Sequence, residues 1–311
     1  MKMGRMLEVE CKHLEGELMR VRFAGSQLIA DHPFRMGGTE SGPSPGEMMM
    51  MGLASASALA GRRFATQNRL DVSHIGARTS MSLTNEGFSG ELHNGPLLRL
   101  SYVDRFWRRL EANGKLNEAD RSALTEAMSE TTVANTLANG ITLDEELVCH
   151  RTGHGRARLA EKNPFYLRGE ATKRLPEGEK LVSYTAENWR VSAAALDDET
   201  CLLKAVRSLW VAGSDIEVLK GPTPEELLLA ALAACTTIFV ARNSNLQDIP
   251  AESVLVKVWA ELPDDPGEPI SRFSKRCEVV GDLTDKEIAD LEHMAYYCAL
   301  GETLKRRFLR R

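Results

Sequence analysis

Nowhere in this sequence do two cysteines fall in a CxxC spacing, and its six cysteines, at 11, 149, 201, 235, 277 and 298, are scattered along the 311 residues. That excludes a small disulfide-stapled scaffold. It fits a reducing cytoplasm, where a disulfide is transient and either catalytic or redox-sensing. Basic excess is missing too: the net charge is −5, without the footprint that nucleic-acid binding usually leaves. The N-terminal MKMGRMLEVECKHLEGE intersperses charges and has no apolar centre, so it does not read as a secretory signal. The most hydrophobic stretch, Leu227 to Ala241, falls short of the roughly 20 residues that span a bilayer. Two threonines interrupt it, and it reads as a buried core helix.

What is present is the composition of a globular protein, 43% hydrophobic and 27% charged, in a chain long enough for about two domains. The chain is a repeat. GPSPGEMMMMGLASASA, from Gly42, has a near-twin in GPTPEELLLAALAACTT, from Gly221, at an offset of 179 residues. That offset lays Gly42, Pro43, Pro45, Glu47, Leu53, Ala54 and Arg63 on Gly221, Pro222, Pro224, Glu226, Leu232, Ala233 and Arg242. A second echo, LNEADRSALTEAMSETTVANTL from Leu116 and LTDKEIADLEHMAYYCALGETL from Leu283, follows at an offset of 167. Two echoes in the same order indicate tandem duplication, and the difference between the offsets fits an insertion in a loop.

Local signals give each half the same plan. Ser44-Pro45-Gly46-Glu47 and Thr223-Pro224-Glu225-Glu226 are capping boxes with proline at the first helical position, and each opens an almost wholly apolar helix. The run Met48–Met51 superposes on Leu227–Ala230 and reads as core packing rather than a soft-metal cluster. Strand-like alternations follow at Ile75–Leu83 and Val254–Leu262, then a second helix, which in the later half opens with the capping box Thr284–Glu287. Ahead of the later apolar helix, VSYTAENWRVSAAAL and CLLKAVRSLWVAG read as paired strands. Each half is therefore an α+β module. The expected division is a first module at 1–149, a basic glycine- and proline-containing linker or lead-in at 150–180, and a second module at 181–311. His150 and His154, close to Cys149, belong to that basic segment and are read as linker, so no metal site is expected.

Cys235 and Cys298 stand apart from the other four cysteines because the first half has Ala56 and Thr131 at their places. Cys11, Cys149, Cys201 and Cys277 read as inert small hydrophobes. The helix GPTPEELLLAALAACTT, the GDLTDKE helix after it and Cys298-Ala-Leu-Gly-Glu-Thr-Leu together resemble the OsmC/Ohr family of osmotically inducible and organic hydroperoxide resistance proteins. GGTESGPSPGE in the first half resembles the same family by its frame, and Ala299 stands where the family usually has proline.

The resemblance implies two OsmC-like modules, each an antiparallel sheet around a buried central helix, arranged as a single-chain pseudo-dimer of a kind that family members form from two chains. It implies a thiol-dependent peroxidase for organic hydroperoxides, with Cys235 peroxidatic, Cys298 resolving, and Glu225 matching a carboxylate that holds an arginine near the thiolate. It implies an external dithiol as reductant and no bound cofactor; further homodimerisation stays open. The hairpin loop expected to carry the arginine reads Leu196-Asp197-Asp198-Glu199 here, and Arg190 and Arg207 are the nearest substitutes. Ten helical residues span about 15 Å, so Glu225 cannot touch Cys235 along one straight helix. Gly46, Ala56 and Thr131 replace all three site residues in the first half, which reads as a scaffold half, leaving one functional site per chain. The alternative is a non-catalytic binding or redox-sensing protein that keeps the fold and its apolar pocket.

Overall fold

The computed structural model describes residues 5–32, 38–83, 91–92, 95–96, 102–153, 190–205, 208–213 and 221–306. The first half runs β1 (Met6–Glu15), β2 (Leu18–Arg22), β3 (Gln27–Ala30), α1 (Pro45–Gln67), β4 (Val72–Leu83), the two-residue strands β5 (Glu91–Leu92) and β6 (Gly95–Pro96), β7 (Val103–Gly114), α2 (Glu118–Ser129), α3 (Thr132–Asn139) and β8 (Thr142–Arg151). The second half runs β9 (Arg190–Ala195), β10 (Thr200–Ala205), β11 (Ser208–Gly213), α4 (Pro224–Leu246), β12 (Ala251–Glu261), β13 (Arg272–Gly281), α5 (Asp285–Tyr296) and α6 (Ala299–Lys305). The α+β plan of the sequence is present twice. β8 runs across the sequence boundary at 149, and residues 154–180 of the expected linker or lead-in, with 181–189 of the expected second module, lie outside the described residues.

The helix starts follow from local chemistry. Glu47 and Glu226 each reach back to the amide of their cap residue, Ser44 and Thr223, at 2.8 Å in both cases. Thr284 and Glu287 do the same at α5. The repeated glycine that opens each motif has a steric cause. A Cβ on Gly42 would lie 1.8 Å from the Ile29 carbonyl of β3, and one on Gly221 would lie 2.0 Å from the Val211 carbonyl of β11. Only glycine lets the chain pass the last strand of each meander so closely.

The strand pairing shows how the halves are joined. One sheet has the order β3-β2-β1-β12-β13-β8 and the other β11-β10-β9-β4-β7. The N-terminal meander of the first half thus completes the sheet of the second, through β1 paired with β12, and the meander of the second completes the sheet of the first, through β9 paired with β4. The ladders are antiparallel except for β13 with β8, which are parallel. Apart from the short β5–β6 pair, neither sheet is built from one half alone; each meander pairs with the other half's hairpin, and the chain is an intertwined pseudo-dimer.

Between the sheets α1 and α4 lie against each other. A Cβ on Gly52 would sit 2.7 Å from the Pro224 carbonyl, so the two helices meet almost backbone to backbone there. Met48–Met51 are fully buried, as are Leu227–Ala234, and each such large apolar side chain contributes roughly 1.5–3 kcal/mol relative to exposure. α4 is long and apolar enough to cross a membrane, but 89% of its most apolar window is buried inside the fold, as expected for a core helix.

Candidate active site

The two singled-out cysteines meet. Cys235 lies midway along α4 and is partly exposed, whereas Cys298, the cap residue of α6, is fully buried. Both are free thiols, and the amides at the start of α6 reach both sulfurs. The first turn of α6 supplies donors to both sulfurs: Leu300 N–H donates to Cys235 Sγ at 3.4 Å and Gly301 N–H to Cys298 Sγ at 3.3 Å. The Thr236 hydroxyl lies 3.2 Å from Cys298 Sγ.

The two thiols are shifted in opposite directions. The neighbouring Cys235 thiol is the main cause holding the Cys298 thiol below the ordinary value; burial opposes this, and Lys275, Thr236 and the Gly301 amide support it. Cys235 is pushed well above the ordinary value by the neighbouring Cys298 and by burial. The remaining cysteines behave as inert core thiols. Burial pushes Cys11, Cys201 and Cys277 up to about 12 and Cys149 up to about 11.

Lys275 is a site residue that the sequence reading missed. It lies on β13 facing inward with Phe273, Cys277 and Val279, and it is 1% exposed. Its Nζ donates to the Ala295 carbonyl at 2.6 Å and lies 2.6 Å from Glu145 Oε1. Glu145 is its register partner on β8 of the first half and binds Lys305 at 2.9 Å through its other oxygen.

Glu225 is not brought to this site. It lies ten residues ahead of Cys235 on one unbroken helix, about 15 Å away. Burial raises its carboxyl, and the nearby cations that oppose this are Arg63 of α1 and Arg5. The expected arginine loop is displaced as well. Leu196–Glu199 docks on α1, where Arg63 Nε donates to the Asp198 carbonyl at 3.1 Å and Thr66 to Asp198 Oδ1 at 2.7 Å. The hairpin that lies on α4 is β1–β2. Its turn places Glu17 against Arg242, two turns beyond Cys235, with Nη2 to Oε2 at 2.7 Å; Glu17 also binds His32 Nδ1 at 2.7 Å. Because the meanders are exchanged, the loop over Cys235's helix carries an acid where an arginine was sought. The Arg190 side chain and Arg207 lie outside the described residues.

The first half keeps the geometry of the site without its thiols. Thr131 caps α3 as Cys298 caps α6, accepting from Ala134 N–H at 3.2 Å. Arg108, at the place of Lys275, donates to the Met128 and Ser129 carbonyls and, at 3.1 Å, to the hydroxyl of Ser57, the twin of Thr236. Ala56 completes this thiol-free copy. Among the described residues, no group of three or more His, Cys, Asp or Glu is placed to hold a metal. His150 is exposed on β8, and His154 lies outside the described residues.

The sequence profile of the OsmC-like protein family matches residues 38–146 and 216–308, once in each half and over more than half of the chain. The chain belongs to the OsmC-like protein family. Both matched regions contain a central helix and the helices that follow it, and both leave out the exchanged meanders. Among solved structures the chain is similar to an OsmC-like protein from Mycoplasma pneumoniae, at 18% identity and a TM-score of 0.34, over 37% of this chain and 85% of that one. No curated protein matches. In this OsmC-like chain the thiol pair belongs to the second matched region, and the thiol-free copy to the first.

Proposed function

We propose that this OsmC-like chain is a thiol-dependent peroxidase that reduces organic hydroperoxides. The observation that carries the proposal is the pair of free thiols, a partly exposed cysteine on α4 and a buried one at the start of α6, whose sulfurs take amide hydrogen bonds from the same turn. Cys235 attacks the distal oxygen of the hydroperoxide, the O–O bond breaks, the alcohol leaves and Cys235 becomes a sulfenic acid. Cys298 then attacks the Cys235 sulfur, a disulfide forms and the oxygen leaves as water. An external dithiol restores both thiols by exchange, without a bound cofactor. The apolar walls of α4 favour an alkyl or lipid hydroperoxide over hydrogen peroxide.

Intact mass after one equivalent of cumene hydroperoxide tests this reading. Wild type loses two hydrogens as the disulfide forms, and Cys298→Ser gains one oxygen on Cys235. Both proteins remaining reduced while the hydroperoxide persists contradicts the proposal. One feature favours a second reading, a redox-sensing or binding protein: the neighbouring Cys298 and burial push the Cys235 thiol well above its ordinary value. On that reading oxidation occurs once, slowly, and without turnover by a dithiol.

A further inference from the structure

We propose that the outer edge of β7 docks an extended acidic segment of a partner protein, which adds to the sheet as a parallel strand in the way that β8 adds to β13. The inference goes beyond the peroxidase reading and does not depend on it.

The two edges are twins. At the offset of 167, β7 falls on β13, and Arg105, Arg108 and Arg109 fall on Arg272, Lys275 and Arg276. Each edge opens with the same bond from a short helix. The Thr136 hydroxyl of α3 accepts from Ile270 N–H at 2.9 Å ahead of β13, and the Thr303 hydroxyl of α6 accepts from Val103 N–H at 3.0 Å at the start of β7. Beyond α3 the chain continues along β13 as the parallel strand β8, and its acids meet the cations of that edge. Asp144 lies 3.5 Å from Arg272, Glu145 2.6 Å from Lys275 and Glu146 3.8 Å from Arg276. β7 is the last strand of its sheet, and among the described residues nothing pairs with its outer edge.

The charges of β7 say what fits there. Arg109 and Arg276 each have a glutamate on their own strand, Glu111 at 3.5 Å and Glu278 at 3.0 Å. Arg276, which also has Glu146 opposite, is 39% exposed, whereas Arg109 is 79% exposed. Glu111 also binds Arg78 at 3.0 Å, so one carboxylate serves two guanidiniums. Arg105 has no carboxylate within ion-pair distance among the described residues; its guanidinium lies 5.7 Å from the centre of the Trp107 ring. Trp107 is an exposed apolar side chain where β13 has Ser274. An open edge offers its backbone N–H and C=O groups to an incoming strand, and side chains at alternate positions select which strand binds. Acids two residues apart on that strand point to one face, as Asp144 and Glu146 do, and would meet Arg105 and Arg109 with Trp107 between them. A second copy of β7 would set like charges against each other, which is unfavourable. The sequence that follows α6, Arg306 to Arg311, has no acidic residue and does not repeat the Asp144–Glu146 pattern. The complement is an acidic strand from a partner.

Fluorescence anisotropy with the labelled peptide TLDEELV, the sequence of Thr142–Val148, tests this on the whole chain. Wild type is expected to bind the peptide and to gain hydrogen-exchange protection in residues 103–114. The double variant Arg105→Glu with Arg109→Glu is expected to bind about tenfold more weakly, because two cross-strand attractions become repulsions. The same variant is expected to take the peptide carrying Asp144→Lys and Glu146→Lys, which wild type leaves unbound. Circular dichroism confirms that the variant is folded. Wild type that does not bind TLDEELV, or a variant that binds it as wild type does, overturns the proposal. So does protection gained elsewhere than in β7, or a folded variant that refuses the lysine peptide. Binding that appears only after removal of residues 307–311 places the chain's own tail on this edge and overturns the partner. No arm of the experiment reads peroxide consumption, so its outcome and that of the peroxidase test are independent.

Discussion

Replacing Glu17 by alanine should weaken the half of the molecule that Glu17 does not belong to in sequence. Its carboxylate lies in the β1–β2 turn, 3% exposed, and takes two hydrogen bonds from Arg242 of α4, at 3.2 and 2.7 Å, and one contact from His32. Truncation leaves the Arg242 guanidinium, 18% exposed, without its bidentate partner. Breaking a buried pair by removing one member costs about 3–5 kcal/mol, and because Arg242 keeps some contact with water the lower end applies, about 3 kcal/mol. At about 2 °C or more per kcal/mol in a chain of this size, the melting temperature falls by about 6 °C. A comparable loss is expected for Arg242→Met, and the double variant should cost no more than either alone, because it leaves no buried charge unpaired. Hydrogen exchange locates the effect: amides in the last turns of α4 and in β12 lose protection together with β1 and β2. Additive losses, or loosening confined to residues 6–32, would refute the exchanged-meander reading.

Other outcomes follow from the same structure. Glu225→Gln is expected to leave the rate of Cys235 oxidation near wild type, because that carboxylate faces Arg63; a loss as deep as that of Cys298→Ser would place it back at the thiols. Ala56→Cys with Thr131→Cys should restore a thiol pair in the first half, visible as a second disulfide by peptide mass after oxidation; two thiols that never cross-link would contradict the equivalence of the sites. Acid should weaken the fold in two stages, read by urea unfolding at a series of pH values. Burial holds His13 below its ordinary 6.5, so the unfolded chain binds a proton first, and stability falls as pH drops below about 6.5. Burial works to raise the Glu17 carboxyl, but Arg242 and His32 outweigh it and hold it low, so its contribution is lost further down, below about 4.3. His13→Asn should remove the first stage and keep the second.

Much of this was legible because it is local. Capping boxes and a repeated apolar helix need only neighbouring residues, and α1, α4 and α5 begin at the residues that signal them. The thiol pair was legible because the duplication supplies an internal comparison, with Ala56 and Thr131 as the contrast. Partner choice was not legible. The alternation in Val254–Leu262 says which face of β12 is buried, and it says the same whether β1 or another strand lies beside it. That is why the arginine was sought in Leu196–Glu199, a loop that docks on α1. Lys275 was missed for a related reason: without the strand 272–281, a lysine between Phe273 and Cys277 looks like surface charge. Set on the strand, it is an inward-facing cation in a buried row.

The most direct test of the central claim is peptide mapping of the wild-type chain after one equivalent of an alkyl hydroperoxide, followed by a dithiol. The account predicts a single new cross-link, between the peptides that contain Cys235 and Cys298, formed as alcohol is released and removed by the dithiol. A chain in which Cys235 and Cys298 stay reduced, or in which the cross-link joins other cysteines, would contradict it.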